Sequence, residues 1–528
     1  MKKHNTIKVV LCTTLIFLLL TWILPAAYYS GQYVDQGRVQ MGLFDLFNYP
    51  LTALSYFGYI ALFIILVGGF YGILYKIPAY RSFLDGIVKF FKGKETVALS
   101  IMVVLIAAMV SICGVHFALA LFIPFVVALI LLMGYDKIVA AFVTVGSIAV
   151  GLLGSTYAYN NTSVLTSSLA LKGDFQIGVR FVILLVGIVL VIFNTLMYIK
   201  RNKTTVKVTV KDEVKEESVA VAVKETAKKV APKKAPAKKT PAKKTATKKT
   251  TAKKTTKSST RKSSNKAALM DEDVIVVPSK VSGSHKVWPL VVVFISLFVI
   301  YVLAFITWGE SGFGIKFFDN VTKSVQEFEL FKFPIFAKIL GTFNSFGNWS
   351  LADLFLPMAL SIVLLAIIYK VKLDDIFDGF AEGAKKALAP AFVAILLYSI
   401  LVLVTYHPFQ MVIYKAVLGL TKKFNIVTTA VVGILSAFFN SDMTYSFQSV
   451  IPYYVSLFPK ADLALVGIIF QTMYGLTMLV APTSLALMGV LAYLNVSYKE
   501  WLKNAWKLFL ELFVVLLIIF IILAALQL

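Results

Sequence analysis

The sequence has very few of the side chains that support disulfide, metal or covalent chemistry. Only two cysteines and four histidines occur in 528 residues, and Cys12 and Cys113 both lie in apolar runs. Neither cysteine belongs to a Cys-x-x-Cys or Cys/His pattern, which disfavours a disulfide framework and a zinc site. The sequence therefore predicts two membrane-buried thiols and no metal centre built from these residues.

Phosphate-binding and catalytic motifs are missing as well. The chain has no GxxxxGK(S/T) loop, and a nucleotide-driven pump is disfavoured for that reason. No combination of nucleophile, general base and oxyanion donors stands out. We therefore predict neither an enzyme nor a resident cofactor, and only coupling to Na⁺ or H⁺ stays open.

Charged side chains make up only 15% of the sequence, whereas 59% of the residues are hydrophobic and the mean hydropathy is +0.82. Such a composition is typical of a polytopic membrane protein. Because long apolar runs recur along the chain, we predict an all-α membrane protein with about 10–12 membrane segments. The net charge of +25 says little about a substrate, since most of the basic excess lies within residues 200–286.

Residues 200–286 have a low-complexity composition. Lysine pairs separated by alanine, proline and threonine run from Lys228 to Lys254. This stretch cannot fill a core and its like charges repel, so we predict a disordered cytoplasmic linker between two transmembrane repeats, residues 1–199 and 287–528. The same composition would allow binding of RNA or anionic lipid, at about 1 kcal/mol per basic residue near a charged leaflet.

Two apolar stretches carry polar interruptions where membrane helices are expected. Residues 139–171 exceed the roughly 20 residues of one crossing and contain glycines, hydroxyls and amides from Gly151 to Thr162. Residues 463–494 are interrupted at Ala481–Ser484. Interrupted helices persist at membrane depth only inside protein or beside a wet cavity, and transporters use them as binding sites. We therefore predict two broken helices around one site.

The two halves share short patterns in the same order. Residues 73–77 resemble residues 367–371, and the interval 124–155 has the same length and landmarks as the interval 452–483. Both matches in order predict a duplication. Residues 388–406 add one crossing to the second half, so the second copy should be inverted relative to the first.

Each repeat also contains a predicted hairpin. Residues 97–134 should turn at Ser111–His116, and residues 427–458 should turn at Asn440–Asp442. Lys2 and its basic neighbours place the N-terminus in the cytoplasm by the positive-inside rule. The predicted protein is a multi-pass protein of the plasma (inner) membrane with a cytoplasmic linker and an outer C-terminus.

The first half has further predicted elements. A first helix should cover residues 7–29, an outer amphipathic segment residues 41–57, and a second helix residues 58–75. The second helix carries Gly68, Gly69 and Gly72, small residues that let helices approach closely.

Neutral polar side chains at the breaks and at the second hairpin turn are the candidate substrate ligands. Exposed ends of half-helices suit a carboxylate, and freed carbonyls could equally surround Na⁺, for which we consider the backbone at Gly154–Thr156 and Pro482–Ser484. The alternative is that these groups only hydrogen-bond neighbouring helices. The candidates are Ser155, Thr156, Asn160, Asn161, Asn440, Ser441, Asp442, Pro482, Thr483 and Ser484.

Asp442 and His116 are the candidates for ion coupling. A carboxylate at membrane depth usually marks function, so Asp442 could pair with a substrate ammonium or carry a proton. If its turn reaches the interface, Asp442 is an ordinary loop residue. His116 can titrate near neutral pH, although a packed neutral histidine is the simpler interpretation.

No arginine or lysine is predicted in the membrane core. Arg180 falls in the outer connection after the first broken helix, together with Lys172 and Asp174. This absence disfavours a dianionic substrate. An amino acid fits the predicted groups better, because its carboxylate would meet the helix ends and its ammonium would meet Asp442.

Several runs carry a family resemblance. They are Trp22–Pro25, Gly134–Lys137, Gly154–Thr156, Ala481–Ser484 and Tyr498–Lys503. Together they resemble the YfcC branch of the C4-dicarboxylate anaerobic carrier family over most of the chain outside the linker. The resemblance implies an ion-coupled secondary carrier with two inverted repeats that works by an elevator-like movement. It also implies amino acids or small carboxylates as cargo, with coupling to Na⁺, H⁺ or exchange.

The sequence thus predicts a secondary transporter of a small charged metabolite, with an amino acid as the favoured cargo and a C4-dicarboxylate as the alternative. A rival of another class is a membrane anchor whose basic linker recruits RNA or anionic lipid. The expected partners are a small-molecule substrate and membrane lipid. A homodimer is left open, and nucleic acid is expected only through the linker.

Overall fold

The computed structural model describes residues 5–114, 116–226, 286–310, 312–341 and 343–526, except for the side chains of residues 116, 160, 203–226 and 340. Met1–Tyr198 and Glu272–Leu528 form one compact unit, and Ile199–Asp271 form another. The lysine-rich part of the predicted linker, residues 228–254, lies outside the described residues. Residues 200–226 of the predicted linker continue the helix that begins at Ile177, and everything else that follows concerns the first unit.

Helices dominate the chain before the linker. They are α1 (Asn5–Ile23), α2 (Asp45–Lys76), α3 (Pro78–Phe90), α4 (Glu95–Cys113), α5 (Ile123–Leu132), α6 (Lys137–Ala141), α7 (Ser147–Leu153), α8 (Tyr159–Ser168) and α9 (Ile177–Thr226). A 3₁₀ turn (His116–Leu121) precedes α5, and a π-helical turn (Phe142–Gly146) joins α6 to α7 without a break.

The second half is helical as well. Its helices are α10 (Trp288–Phe305), α11 (Phe317–Glu327), α12 (Ile335–Leu340), α13 (Phe355–Tyr369), α14 (Leu373–Tyr406), α15 (Gln410–Leu418), α16 (Ile426–Phe439), α17 (Met443–Leu457), α18 (Leu463–Thr477), α19 (Leu485–Leu494) and α20 (Tyr498–Leu526), with a 3₁₀ turn (Ala352–Leu354) before α13.

Eight helical segments among the described residues are long and apolar enough to cross a membrane. This confirms the predicted all-α polytopic class. Five shorter apolar segments are the second arm of the first hairpin (α5), the first arm of the second hairpin (α16) and parts of the two broken helices. The sidedness of the termini and the inversion of the repeats stay predictions.

The predicted turns and breaks lie where the sequence placed them. The helix α4 ends at Cys113, and Gly114 adopts φ +81°, a left-handed conformation that glycine tolerates best. The second hairpin turns between α16 and α17. The helical runs are interrupted between α7 and α8 and between α18 and α19, so the chain contains the two predicted broken helices.

The first predicted helix was too long. It ends at Ile23, two residues before Pro25, which lacks the N–H needed to continue helical hydrogen bonding. The following residues form β1 (Ala26–Tyr29), which pairs antiparallel with β2 (Tyr33–Gly37). This small hairpin is a local exception to the all-α architecture.

The predicted division at residues 57 and 58 was also wrong, because residues 45–57 and the second predicted helix belong to the continuous helix α2. Thr52 and Ser55 donate hydroxyl hydrogen bonds to the carbonyls of Asn48 and Leu51 in the same helix. Polar residues that are satisfied in this way do not end a helix.

The long helices α2 and α14 pack antiparallel along their glycine-containing faces. A Cβ atom on Gly72 would lie 2.0 Å from the carbonyl oxygen of Gly379, and one on Gly68 would lie 2.8 Å from that of Gly383. At the other end the rings of Phe57 and Tyr398 stack with centroids 4.2 Å apart. The close approach confirms the packing role predicted for the glycines of α2 and joins the two halves of the chain.

Replacing Gly72 with alanine should lower the free energy of unfolding by about 2–3 kcal/mol, because the new methyl group would overlap backbone atoms of α14. Thermal unfolding of the purified protein in detergent measures this. The matched control is Gly86→Ala in α3, where an added Cβ meets nothing within 4 Å. Equal melting temperatures for the two variants would contradict the close packing of α2 on α14.

Candidate functional site

The tip of the first hairpin forms hydrogen bonds with the first helix break. The Ser111 hydroxyl donates to the carbonyl oxygen of Gly154 at 2.7 Å and lies 2.9 Å from the Thr156 hydroxyl. The Thr156 N–H donates to the Ser111 carbonyl oxygen at 2.9 Å. The Asn161 amide then reaches the carbonyl of Gly114 at 3.0 Å. These bonds satisfy backbone groups that the helix break sets free.

The second hairpin likewise forms hydrogen bonds with the second helix break. The Ser441 hydroxyl donates to the Thr483 carbonyl oxygen at 2.6 Å, and the Thr483 hydroxyl donates to the Phe438 carbonyl oxygen at 2.8 Å. Tyr474 of α18 donates its hydroxyl to the Ser441 carbonyl oxygen at 2.5 Å. Each hairpin tip is therefore bonded to the broken helix of its own half.

The first break also contacts the helix that leads into the second. The Gln471 side-chain N–H₂ donates to the Ser155 carbonyl oxygen at 3.1 Å and approaches that of Leu153 at 3.4 Å. One turn later, a Cβ on Gly475 would lie 2.4 Å from the Leu153 nitrogen. The last turns of α7 and α18 therefore abut, and one amide side chain joins the two halves at Ser155.

Arg180, which the sequence placed in an outer connection, is buried within the protein. Its side chain is fully buried, with 0% exposure. The guanidinium donates to the Ser155 carbonyl oxygen at 3.2 Å and to the Gly173 carbonyl oxygen at 2.6 Å, and it lies 4.4 Å from the centre of the Phe175 ring. The connection after α8 folds back over the break, so a residue expected outside becomes part of the interior.

Three buried polar atoms around Ser155 have no hydrogen-bond partner among the described residues. They are Oγ of Ser155, Oε1 of Gln471 and Nε of Arg180. An unsatisfied buried polar group costs about 1–3 kcal/mol, so three in one place call for a bound molecule or water. The set contains one donor, one acceptor and one hydroxyl that can act as either.

The remaining polar residues near the second break act as helix caps. Asp442 begins α17 and accepts the Tyr445 N–H at 3.2 Å, while its own N–H donates to the Asn440 side-chain oxygen at 2.9 Å. Ser484 begins α19 and accepts the Leu487 N–H at 3.2 Å. The half-buried Asp442 carboxylate is thus partly committed to a helix end, and its coupling role stays a prediction.

The predicted Na⁺ positions already carry hydrogen bonds. The Ser155 carbonyl oxygen accepts from both Arg180 and Gln471, and the Gly154 and Thr483 carbonyl oxygens accept from serine hydroxyls. Both lone pairs of the Ser155 oxygen are thus used and the adjacent guanidinium repels a cation, whereas the Gly154 and Thr483 oxygens each keep one acceptor position. Na⁺ therefore does not fit at the Ser155 carbonyl, and Na⁺ at the other two carbonyls stays a prediction.

For three further candidate site residues, the structure gives a place in the fold but no side-chain contact. His116 begins the 3₁₀ turn after the first hairpin tip, and Asn160 lies in the first turn of α8. The side chains of both lie outside the described ones. Pro482 lies in the second break, where hydrogen-bonded turns after α18 continue as far as Ala481. A proline cannot donate the next bond, which agrees with its predicted role in the break.

Aromatic rings cover the first break on one side. Phe313, from the connection after α10, lies with its ring centre 5.1 Å from that of Tyr157 and 5.8 Å from that of Tyr159. Tyr157 keeps 37% of its surface exposed, while Ser155 has 0%. The chain thus passes from a fully buried residue to a partly exposed ring within two positions.

Sequence reasoning missed the roles of Ser111, Gln471 and Arg180. Gln471 carried a usable signal, since it is the one amide side chain in the apolar helix α18, and such residues usually hydrogen-bond across helices. Ser111 lay in the predicted turn but was not named as a ligand. Arg180 gave no local signal, because its burial depends on how the preceding connection folds.

Comparison with known families gives one result. A family model described as DcuC, C4-dicarboxylate anaerobic carrier, matches residues 35–525. The match includes both hairpins and both broken helices. No curated protein and no solved structure matches the chain.

Replacing Ser111 with alanine should lower the free energy of unfolding by about 2 kcal/mol, since the Gly154 carbonyl would lose its donor in the interior. The control is Ser100→Ala in the same helix, whose hydroxyl bonds only the Thr96 carbonyl one turn earlier. The control should stay within about 0.5 kcal/mol of the unchanged protein in thermal unfolding. A Ser111 variant as stable as the control would show that the first break does not depend on the hairpin tip.

Proposed function

Since this chain belongs to the C4-dicarboxylate anaerobic carrier family, we propose that it is a secondary carrier that moves C4-dicarboxylates across the membrane and binds them at the first helix break. The observation that carries the proposal is the buried guanidinium of Arg180 beside Ser155.

A buried positive charge needs a partner. Among the described residues, no aspartate or glutamate forms an ion pair with Arg180; its observed partners are two carbonyl oxygens and the face of Phe175. An ion buried in a protein is costly unless it is paired and hydrogen-bonded, and arginine presents a planar fork that matches a carboxylate. Asp174 acts on Arg180 electrostatically without forming an ion pair, and a substrate carboxylate would supply the direct partner.

This charge changes the preferred substrate. The prediction of an amino acid rested on the absence of a basic residue from the core and on a free Asp442 for the ammonium. The buried Arg180 supplies the basic residue that was thought absent, and the capping bonds of Asp442 make its carboxylate less available to an ammonium. A C4-dicarboxylate therefore suits the described groups better, with amino acids retained as competitors in the transport assay.

Alternating access of the elevator type is part of the proposal. Its support is an apolar cavity of about 100 Å³ between the α2/α14 pair and the elements that follow the first hairpin tip and the second break. Phe63, Val67, Phe117, Pro124 and Leu485 are among its lining residues. This apolar lining, next to which the Tyr71 hydroxyl of α2 donates to the Leu121 carbonyl at 2.7 Å, would let the hairpins and broken helices shift as a body against α2 and α14 once that bond is broken.

The test is uptake of labelled succinate and malate into proteoliposomes under an imposed Na⁺ gradient, an imposed proton gradient, or internal dicarboxylate for exchange. Each condition is run with and without excess neutral and acidic amino acids. The gradient that drives uptake identifies the coupling. Absence of dicarboxylate uptake under all three conditions would refute the proposed function.

Replacing Arg180 with alanine should reduce dicarboxylate uptake at least about thirtyfold, corresponding to about 2 kcal/mol, because the substrate would lose a buried charge partner. Arg180→Lys keeps the charge without the fork and should recover only part of the loss. Arg38→Ala is the control, since Arg38 is exposed. Unchanged KM and maximal rate in the folded Arg180→Ala protein would exclude Arg180 from the site.

The membrane-anchor alternative makes a separate prediction. Deleting residues 228–266 should leave dicarboxylate uptake per folded protein within about twofold, since no residue assigned to the site lies in the deleted segment. Binding of RNA and of vesicles rich in anionic lipid is measured on the same two proteins. Loss of uptake on deletion, with the protein still folded, would assign the linker a direct part in transport.

A further inference from the structure

The side chain of Gln471 has only one orientation that fits its surroundings. The amide nitrogen faces the carbonyl oxygens of Ser155 and Leu153, and both of these groups can only accept hydrogen bonds. The amide oxygen Oε1 must therefore point away from these carbonyls. It is buried, and none of the residues that the structure describes forms a hydrogen bond with it.

We propose that Gln471 Oε1 is a specificity determinant that accepts a hydrogen bond from a donor on the second carbon of the substrate. The inference rests on the proposed function and narrows it to C4-dicarboxylates with a 2-hydroxyl or 2-amino group. Both substituents offer the same chemistry at this point, a donor next to a carboxylate.

The other two atoms without a described partner would bind a carboxylate of the substrate. Nε of Arg180 and the Ser155 hydroxyl can both donate to a carboxylate, whereas Gln471 Oε1 can only accept. All three residues have 0% exposure, and Arg180 and Gln471 meet on the same carbonyl oxygen of Ser155. The three side chains therefore meet at one residue, away from bulk water.

An unsubstituted dicarboxylate cannot satisfy this set. Succinate and fumarate as dianions have acceptors for Arg180 and Ser155 but no donor for Gln471. Binding them in a closed site would leave Oε1 desolvated and unpaired, and a site built around a hydrogen bond discriminates strongly against an analogue that lacks the group. Malate and aspartate carry the required donor.

The experiment measures initial uptake rates of malate, aspartate, succinate and fumarate into proteoliposomes containing the full chain. We expect kcat/KM for malate, aspartate or both to exceed that for succinate and fumarate at least about tenfold. In Gln471→Leu this advantage should fall below about threefold, because the acceptor is gone.

Gln410→Leu is the matched control. Gln410 is also buried, with 6% exposure, and its Oε1 also lacks a partner among the described residues, but its amide nitrogen bonds the Val404 carbonyl at the end of α14 and not the Ser155 carbonyl. The control variant should keep the substrate ratio of the unchanged protein. An equal change in both variants would overturn the role of Gln471.

The ratio of kcat/KM values between substituted and unsubstituted dicarboxylates in the unchanged protein tests the inference even if Gln471→Leu does not fold. If the unchanged protein transports succinate or fumarate as well as malate and aspartate, the inference is wrong while the proposed function stands. If it transports none of the four, the proposed function falls too. If Gln471→Leu folds but no longer transports, ligand-induced shifts in its melting temperature replace uptake. Retention of the malate or aspartate preference in those shifts would overturn the inference.

Discussion

The pairing of backbone groups set free at the two helix breaks is the constraint on which the rest of the site depends. A peptide group without a partner in an apolar interior costs several kcal/mol, so a membrane helix can stop midway only where other donors and acceptors are supplied. Ser111 supplies them at the first break and Ser441 at the second. Each hairpin must therefore bring its tip to a break, and this requirement places hairpins, broken helices and polar residues in one region.

The two breaks satisfy the same requirement with different chemistry. At the second, neutral groups and helix caps complete the bonding, with Ser484 and Asp442 each accepting a backbone N–H. At the first, a guanidinium and an amide from α18 converge on the Ser155 carbonyl and leave three polar atoms unsatisfied. Charge and unmet hydrogen bonding therefore concentrate at one of two similar places, and the proposed carboxylate site lies there.

The hairpin turns and both breaks could be predicted from the sequence, because polar residues within apolar runs have few alternatives in a membrane. The close helix packing at Gly68 and Gly72 could likewise be predicted. The continuity of α2 could not be predicted, since hydroxyls such as that of Thr52 form hydrogen bonds within their own helix. The burial of Arg180 depends on the fold of the connection before it, and the orientation of Gln471 depends on α7, which belongs to the other half of the chain. Long-range contacts of this kind leave no periodic pattern.

The packing of α2 on α14 has a consequence for how the protein is made. Lys76 of α2 pairs with Glu382 of α14, and 306 positions of chain separate them. At about 5–20 residues per second, a ribosome needs about 15–60 s to add that much polypeptide. During this time the glycine face of α2 lacks the helix on which it packs in the finished protein. The closest helix contact between the two halves can therefore form only after α14 has been synthesised.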